Sequence, residues 1–160
     1  CIAPTKAFNF AGLHSSAVYV PNPALRARVV RGLNTDEVAE PNAFSVTAAV
    51  AAFTEGETWL DELREYVFDN RHYAEKFIET ELPRIKAVSA DATYLLWLDC
   101  SAVTDDADVL ADTIRSKTGL YISSGAHYGE AGRKFVRINM ACPRSYLKDG
   151  LSRLKKALSE

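Results

Sequence analysis

One stretch narrows the possible folds more than any other. Across residues 58–82, Leu60, Leu63, Val67, Ala74, Phe77 and Ile78 recur at helical spacing. Asp61, Glu62, Arg64, Glu65, Asp69, Lys76 and Glu79 cover much of the remaining surface. A helix with one apolar stripe has to lie on something apolar. Pro83 ends it, because proline has no amide hydrogen and its ring blocks the preceding turn. His72 falls inside this helix and reads as a solvated surface imidazole.

The sequence offers strands for that helix to rest on. Residues 93–98, T-Y-L-L-W-L, form a continuous apolar run, which predicts a strand covered on both faces. Residues 134–141 alternate instead: Phe135, Arg137, Asn139 and Ala141 on one side, Val136, Ile138 and Met140 on the other. Shorter strands are expected at 15–20, stopped by Pro21, and at 120–122. Further helices open at Asn22-Pro23, at Pro41-Asn42 and at the acidic Thr104-Asp105-Asp106. Gly119 suits the end of the third of these. A last helix follows Pro143, with Leu147, Leu151, Leu154 and Leu158 inward. The order is strand, three helices, strand, helix, strand, strand, helix. Few strands with helices packed on them make an α/β or α+β layer arrangement.

Composition sets the outer bounds. With 160 residues, 48% hydrophobic and 25% charged, the chain is one domain or a piece of a larger one, with material for a core. A net charge of -2 supplies no general pull toward nucleic acid or an anionic membrane. No apolar run approaches the ~18 residues of a membrane span, and no basic start precedes a long apolar segment as in a signal peptide. Cys1, Cys100 and Cys142 are odd in number and widely spaced, without C-x-x-C. That pattern fits reduced thiols in a cytoplasmic compartment, and it gives no support to a metal site. The opening on Cys1 suits a chain cut from a longer one better than a processed cysteine nucleophile.

Two cations stand out chemically. Lys6 lies among small and apolar residues in C-I-A-P-T-K-A-F-N-F-A-G-L. Burying an ammonium is costly, and one use for such a lysine is as an amine that bonds covalently to a carbonyl partner. The plainer reading is a surface lysine whose methylenes lie along apolar neighbours. Arg137 sits within a strand, where an inward guanidinium must find an anion. That anion is either an internal Asp or Glu or the carboxylate of a ligand. Before it runs S-S-G-A-H-Y-G-E-A-G (123–132), a polar, glycine-rich loop expected to be mobile. It matches neither phosphate-binding glycine pattern. His127 is a possible acid or base there, but His14 and His72 build no triad with it by spacing.

Three stretches together resemble one family. T-K-A-F-N-F-A-G-L (5–13) is similar to the cofactor-lysine motif of the fold-type I pyridoxal-phosphate enzymes, the class I/II aminotransferase family. T-Y-L-L-W-L-D (93–99) and H-Y-G-E-A-G-R-K-F-V-R-I-N-M-A-C-P-R (127–144) resemble its cystathionine β-lyase-like carbon–sulfur lyase branch. The resemblance covers essentially the whole chain, in order. It implies an α/β fold whose α+β small domain has a few-stranded sheet with helices packed on it. Residues 1–40 would be the end of the large cofactor domain, with the start of a connecting helix, and 41–160 the C-terminal small domain. It implies pyridoxal 5'-phosphate as cofactor, held by Lys6 with Thr5 beside it. Arg137 would grip the α-carboxylate of an amino-acid substrate.

Further implications follow from that resemblance. The expected reaction is α,β-elimination of cystathionine or cysteine conjugates to pyruvate, ammonia and a thiol. The expected assembly is a homodimer. The family's N-terminal half, with the ring-stacking aromatic and most phosphate contacts, has no counterpart here, so the piece alone is expected to be inactive. Where many aminotransferases carry a phosphate-binding arginine, eight positions after the lysine, this chain has His14. The alternatives are a piece of a class I/II aminotransferase, or a non-catalytic interaction domain that uses the long helix.

Overall fold

The expected long helix forms in the computed structural model, which describes residues 1–159. It runs Glu57–Glu81 and is the third of five α-helices: α1 (Pro23–Thr35), α2 (Ser45–Glu55), α3 (Glu57–Glu81), α4 (Ala107–Thr118) and α5 (Arg144–Leu158). Four strands join them: β1 (Lys86–Ala87), β2 (Leu95–Asp99), β3 (Ser123–Ser124) and β4 (Phe135–Asn139). The chain divides into two compact units, Cys1–Leu63 and Arg64–Glu160.

In the second unit the strands form one antiparallel sheet, in the order β1-β2-β4-β3. Leu96 pairs with Ile138 and Leu98 with Val136, so one face of the two central strands is aliphatic. Leu96, Leu98 and Val136 are sealed from water in one cluster with Ala74 and Ile78 of α3, Ile114 of α4, and Leu151 and Leu154 of α5. The unit is therefore a two-layer α+β structure, with helices over one sheet face. Local chemistry places the helix ends. The Asp106 carboxylate accepts the backbone N–H groups of Asp108 (2.9 Å) and Val109 (3.3 Å) at the start of α4. Gly119 ends that helix in the left-handed region (φ 73°), where a side chain would be strained.

The other sheet face corrects one expectation. The run at 93–98 is not covered equally on both sides: Leu96 and Leu98 are buried, but Leu95, Trp97 and Asp99 are half-buried. An unbroken apolar run looks two-sided because Trp97 covers itself with neighbouring rings rather than with a second layer of helices. Residues 15–20 also form no strand; Ala17 makes an isolated bridge with Ile2. The strand expected at 120–122 lies slightly later, at Ser123–Ser124, and the two-residue β1 carried no legible pattern.

One polar side chain is sealed in this core. Asn70 is fully buried on α3. Its amide N–H groups donate to the carbonyls of Met140 (2.8 Å) and Cys142 (2.9 Å), and its oxygen accepts from Arg144 Nε. The Tyr66 hydroxyl accepts the Arg144 backbone N–H at 2.8 Å. The connection from β4 to α5 is thereby fastened to α3 by a fully satisfied set of hydrogen bonds.

The first unit is built more lightly. Asn22 caps α1, its Oδ1 accepting the Leu25 N–H at 3.0 Å, yet α1 buries no residue. Apolar side chains of α2, among them Val46, Val50 and Phe53, stay exposed. What packing exists centres on Phe8, whose ring stacks on Trp59 at 5.8 Å and meets Phe53 edge-on at 6.1 Å. Gly56, between α2 and α3, permits this approach. A Cβ there would stand 2.5 Å from Phe8 Cε1 and 2.4 Å from the Ala52 carbonyl oxygen.

Candidate active site

Lys6 occupies the apex of a turn. The Phe8 N–H donates to the Pro4 carbonyl (2.9 Å) and the Phe10 N–H to the Thr5 carbonyl (3.0 Å). The backbone on both sides of Lys6 is held, and Phe8 anchors the turn through its aromatic cluster. Lys6 itself is exposed. Its exposure matches the plainer of the two sequence readings: Phe8 and Phe10 pack ring to ring at 6.2 Å, and Lys6 stays outside. Among the described residues no carboxylate pairs with it, so the amine is open to a covalent partner. Thr5, next to it, is half-buried. Farther on, Asn9 (φ 57°) and His14 (φ 48°) take left-handed conformations on either side of a 3-10 turn at Ala11–Leu13. Asparagine and histidine are both among the non-glycine residues enriched in that region. His14 is exposed.

Arg137 lies in the other unit, on the open face of the sheet. β4 places it directly between Trp97 on β2 and Ser123 on β3. Its guanidinium lies over the Tyr128 ring, 4.4 Å from the centroid. Tyr128 meets Trp97 edge-on at 5.4 Å, and Trp97 meets Phe135 at 6.3 Å. Among the described residues no Asp or Glu pairs with Arg137, which removes the internal ion pair as the reason for an arginine here. Arg137 also borders a cavity of about 320 Å³ shared with Tyr121, Ile138, Asn139, Tyr146 and Leu151.

The glycine-rich loop is more ordered than its composition suggests. It folds into 3-10 turns at Gly125–Tyr128 and Glu130–Gly132. Gly125 and Gly132 touch backbone to backbone: a Cβ on Gly132 would sit 2.1 Å from the Gly125 carbonyl oxygen. On the other side, a Cβ on Gly125 would meet Trp97 Cζ3 at 2.9 Å. This tight fold delivers Tyr128 to the Arg137 guanidinium. His127 is exposed in the same turn, and His72 is exposed against Phe68.

The remaining titrating groups lie elsewhere. Burial pushes the Cys100 thiol up to about 12, and burial also raises Cys142. A side-chain hydrogen bond with Ser101 lowers the Asp99 carboxyl, and one with Lys134 lowers Asp105. Among the described residues no group of three His, Cys, Asp or Glu side chains is arranged to hold a metal ion, and no helix is long and apolar enough to cross a membrane.

Two functional features escaped the sequence reading. Tyr128 was visible only as an aromatic in a glycine-rich loop, and nothing in the spacing tied it to Arg137. Asn70 did leave a signal: it falls between Val67 and Ala74 on the apolar face of α3, where a polar residue asks for buried partners.

Comparison with known proteins agrees with this architecture. No family model matches the chain. It is 42% identical over 159 residues to cystathionine beta-lyase PatB of Bacillus subtilis (strain 168), covering 99% of this chain and 41% of that protein. A PLP-bound putative aminotransferase from Clostridium difficile 630 superposes with a TM-score of 0.93 at 36% identity, covering 98% of this chain and 40% of its own. Cystalysin from Treponema denticola, a structure containing pyridoxal 5'-phosphate, superposes with a TM-score of 0.92 at 30% identity, with 98% and 40% covered. The chain thus spans about two fifths of the length of the relatives it matches.

The fold is that of the C-terminal small domain of the pyridoxal-phosphate proteins with the aminotransferase fold. Among the curated relatives, Protein MalY of Escherichia coli (strain K12) is 33% identical and a cystathionine beta-lyase of Corynebacterium glutamicum 30%, whereas a probable aspartate/prephenate aminotransferase of Aquifex aeolicus is 26% identical.

Proposed function

We propose that this chain is the C-terminal part of a pyridoxal-phosphate-dependent carbon–sulfur β-lyase acting on cystathionine or related cysteine conjugates. The observation that carries the reading is Arg137: a guanidinium on a packed sheet, lying over an aromatic ring and without a carboxylate of its own among the described residues. Such a group is set to receive the α-carboxylate of an amino acid in two parallel hydrogen bonds. The exposed, unpaired Lys6 amine fits covalent attachment of the cofactor, with the Thr5 hydroxyl beside it. Pyridoxal phosphate, when bound, supplies the electron sink that makes an amino acid's α-proton acidic. The Lys6 amine would hold the cofactor and, when free, would accept that proton at Nζ. Arg137 holds the acid end so that the Cα–H bond is the one broken. A thiolate then departs from Cβ, and with uptake of water the products are pyruvate, ammonia and a thiol.

Residues 1–40 are proposed to complete the cofactor domain and 41–160 to form the small domain. The rest of the protein would supply the ring-stacking and phosphate contacts. A cytoplasmic homodimer is the assembly this reading favours.

The test uses the full-length protein loaded with cofactor. Lys6→Ala is expected to lower pyruvate formation from cystathionine by roughly a thousandfold or more, about 4 kcal/mol of transition-state stabilisation. Arg137→Ala is expected to lower kcat/KM by roughly a hundredfold, mainly through KM. Near-normal turnover in either variant overturns the assigned role. The likeness to the Clostridium difficile putative aminotransferase supports a second reading, an aminotransferase. Amino transfer to a keto acid, with no pyruvate formed in its absence, would decide for that reading.

A further inference from the structure

We infer that Tyr128 is a positioning residue for Arg137, fixing the plane of its guanidinium so that the edge, and not the face, meets a substrate carboxylate. The inference rests on the reading of Arg137 given above. An arginine on a strand has four rotatable side-chain bonds, and with no ion pair its head would otherwise sweep a wide arc. Here the head lies over the Tyr128 ring at 4.4 Å from the centroid. The ring's negative face attracts the cation, and a guanidinium lying flat on that face would keep its N–H fork free for a carboxylate. Tyr128 is itself constrained, packing edge-on against Trp97 at 5.4 Å. The backbone contact between Gly125 and Gly132 draws the loop down onto the sheet beside Trp97. The order of support runs from the glycine contact to Trp97, to Tyr128, and then to the arginine.

Neither hydroxyl nor charge is needed from Tyr128; a flat ring is enough. Tyr128→Phe should therefore behave as the native protein, and Tyr128→Leu should not. The readout is the dissociation constant of L-alanine, which has an α-carboxylate but no leaving group, compared with L-alaninamide, which lacks the acid. Both are titrated calorimetrically into the full-length, cofactor-loaded protein. Tyr128→Leu is expected to weaken alanine binding roughly three- to tenfold, leave alaninamide unchanged, and lose its effect in an Arg137→Ala background. Equal weakening of both ligands, an unchanged alanine affinity, or a Tyr128→Phe variant as poor as Tyr128→Leu overturns the inference. If Arg137→Ala leaves the alanine-to-alaninamide preference intact, the role of Arg137 itself has failed, which is a distinct result from a failure of Tyr128.

Discussion

The two units use the same kind of sequence to different ends. Both carry helices with apolar side chains at helical spacing, capped by asparagine or aspartate. In Arg64–Glu160 those side chains meet a sheet face and disappear from water, Leu151 to 2% exposure. In Cys1–Leu63 they do not: Leu25 of α1 remains 49% exposed, and packing is concentrated at the Phe8 cluster. Amphipathic period makes a helix; a core needs a second surface of matching shape. The two candidate functional cations divide the same way. Arg137 sits on the densely packed unit, its guanidinium over the Tyr128 ring. Lys6 sits on the lightly packed one, exposed at the tip of a turn.

This contrast can be broken experimentally. Leu151→Ala should cost about 2–5 kcal/mol, since it empties space in a sealed core. Leu25→Ala should change stability by less than about 0.5 kcal/mol. Shifts in the urea midpoint of the full-length protein measure both, and equal losses would erase the difference between the units. Gly56→Ala probes the one tight joint of the lighter unit. Its new methyl has to displace the Phe8 ring, at a cost of about 1–3 kcal/mol. Trp59 fluorescence, read in protein whose other tryptophans are replaced by phenylalanine, should change with it; an unaltered spectrum would show that Phe8 does not fasten the Lys6 turn.

The smallest effect sharpens the comparison from the core side. The buried Cys100 thiol is raised from 9.0 to about 12. Between those values the unfolded chain has released a proton that the native chain still holds. Stability is therefore lost as pH rises above about 9, by at most about 1.4 kcal/mol per pH unit. The wild-type slope should be steeper than that of Cys100→Ala in unfolding measurements at pH 8 to 10, and identical slopes would place the thiol in contact with water.

Much of the dense unit was legible because its signals are local. Asp106 before α4, Gly119 after it, the alternation through β4 and the leucines of α5 each state their own conformation. The strand at 93–98 was legible as a strand but not in its burial, because the pattern shows what is apolar and not what covers it. β1 is two residues of a ladder dictated by β2, and no local pattern announces it. Lys6 and Arg137 were found by family resemblance more than by physics. The turn at Lys6 exposes the amine, which the flanking phenylalanines alone would not indicate. Tyr128 was missed for a related reason: its place over Arg137 depends on a backbone contact between two glycines seven residues apart.

The buried amide of Asn70 has a consequence for how the dense unit finds its register. It reaches partners 70, 72 and 74 positions along the chain, so no neighbouring stretch can satisfy it early in folding. A β4 slipped by one residue, or an α5 docked a turn away, would bury Asn70 with nothing to bond. The aliphatic core tolerates many near-misses, one leucine being much like another. The amide does not, and so it acts as a proofreader that lets only one alignment of strand and helix close.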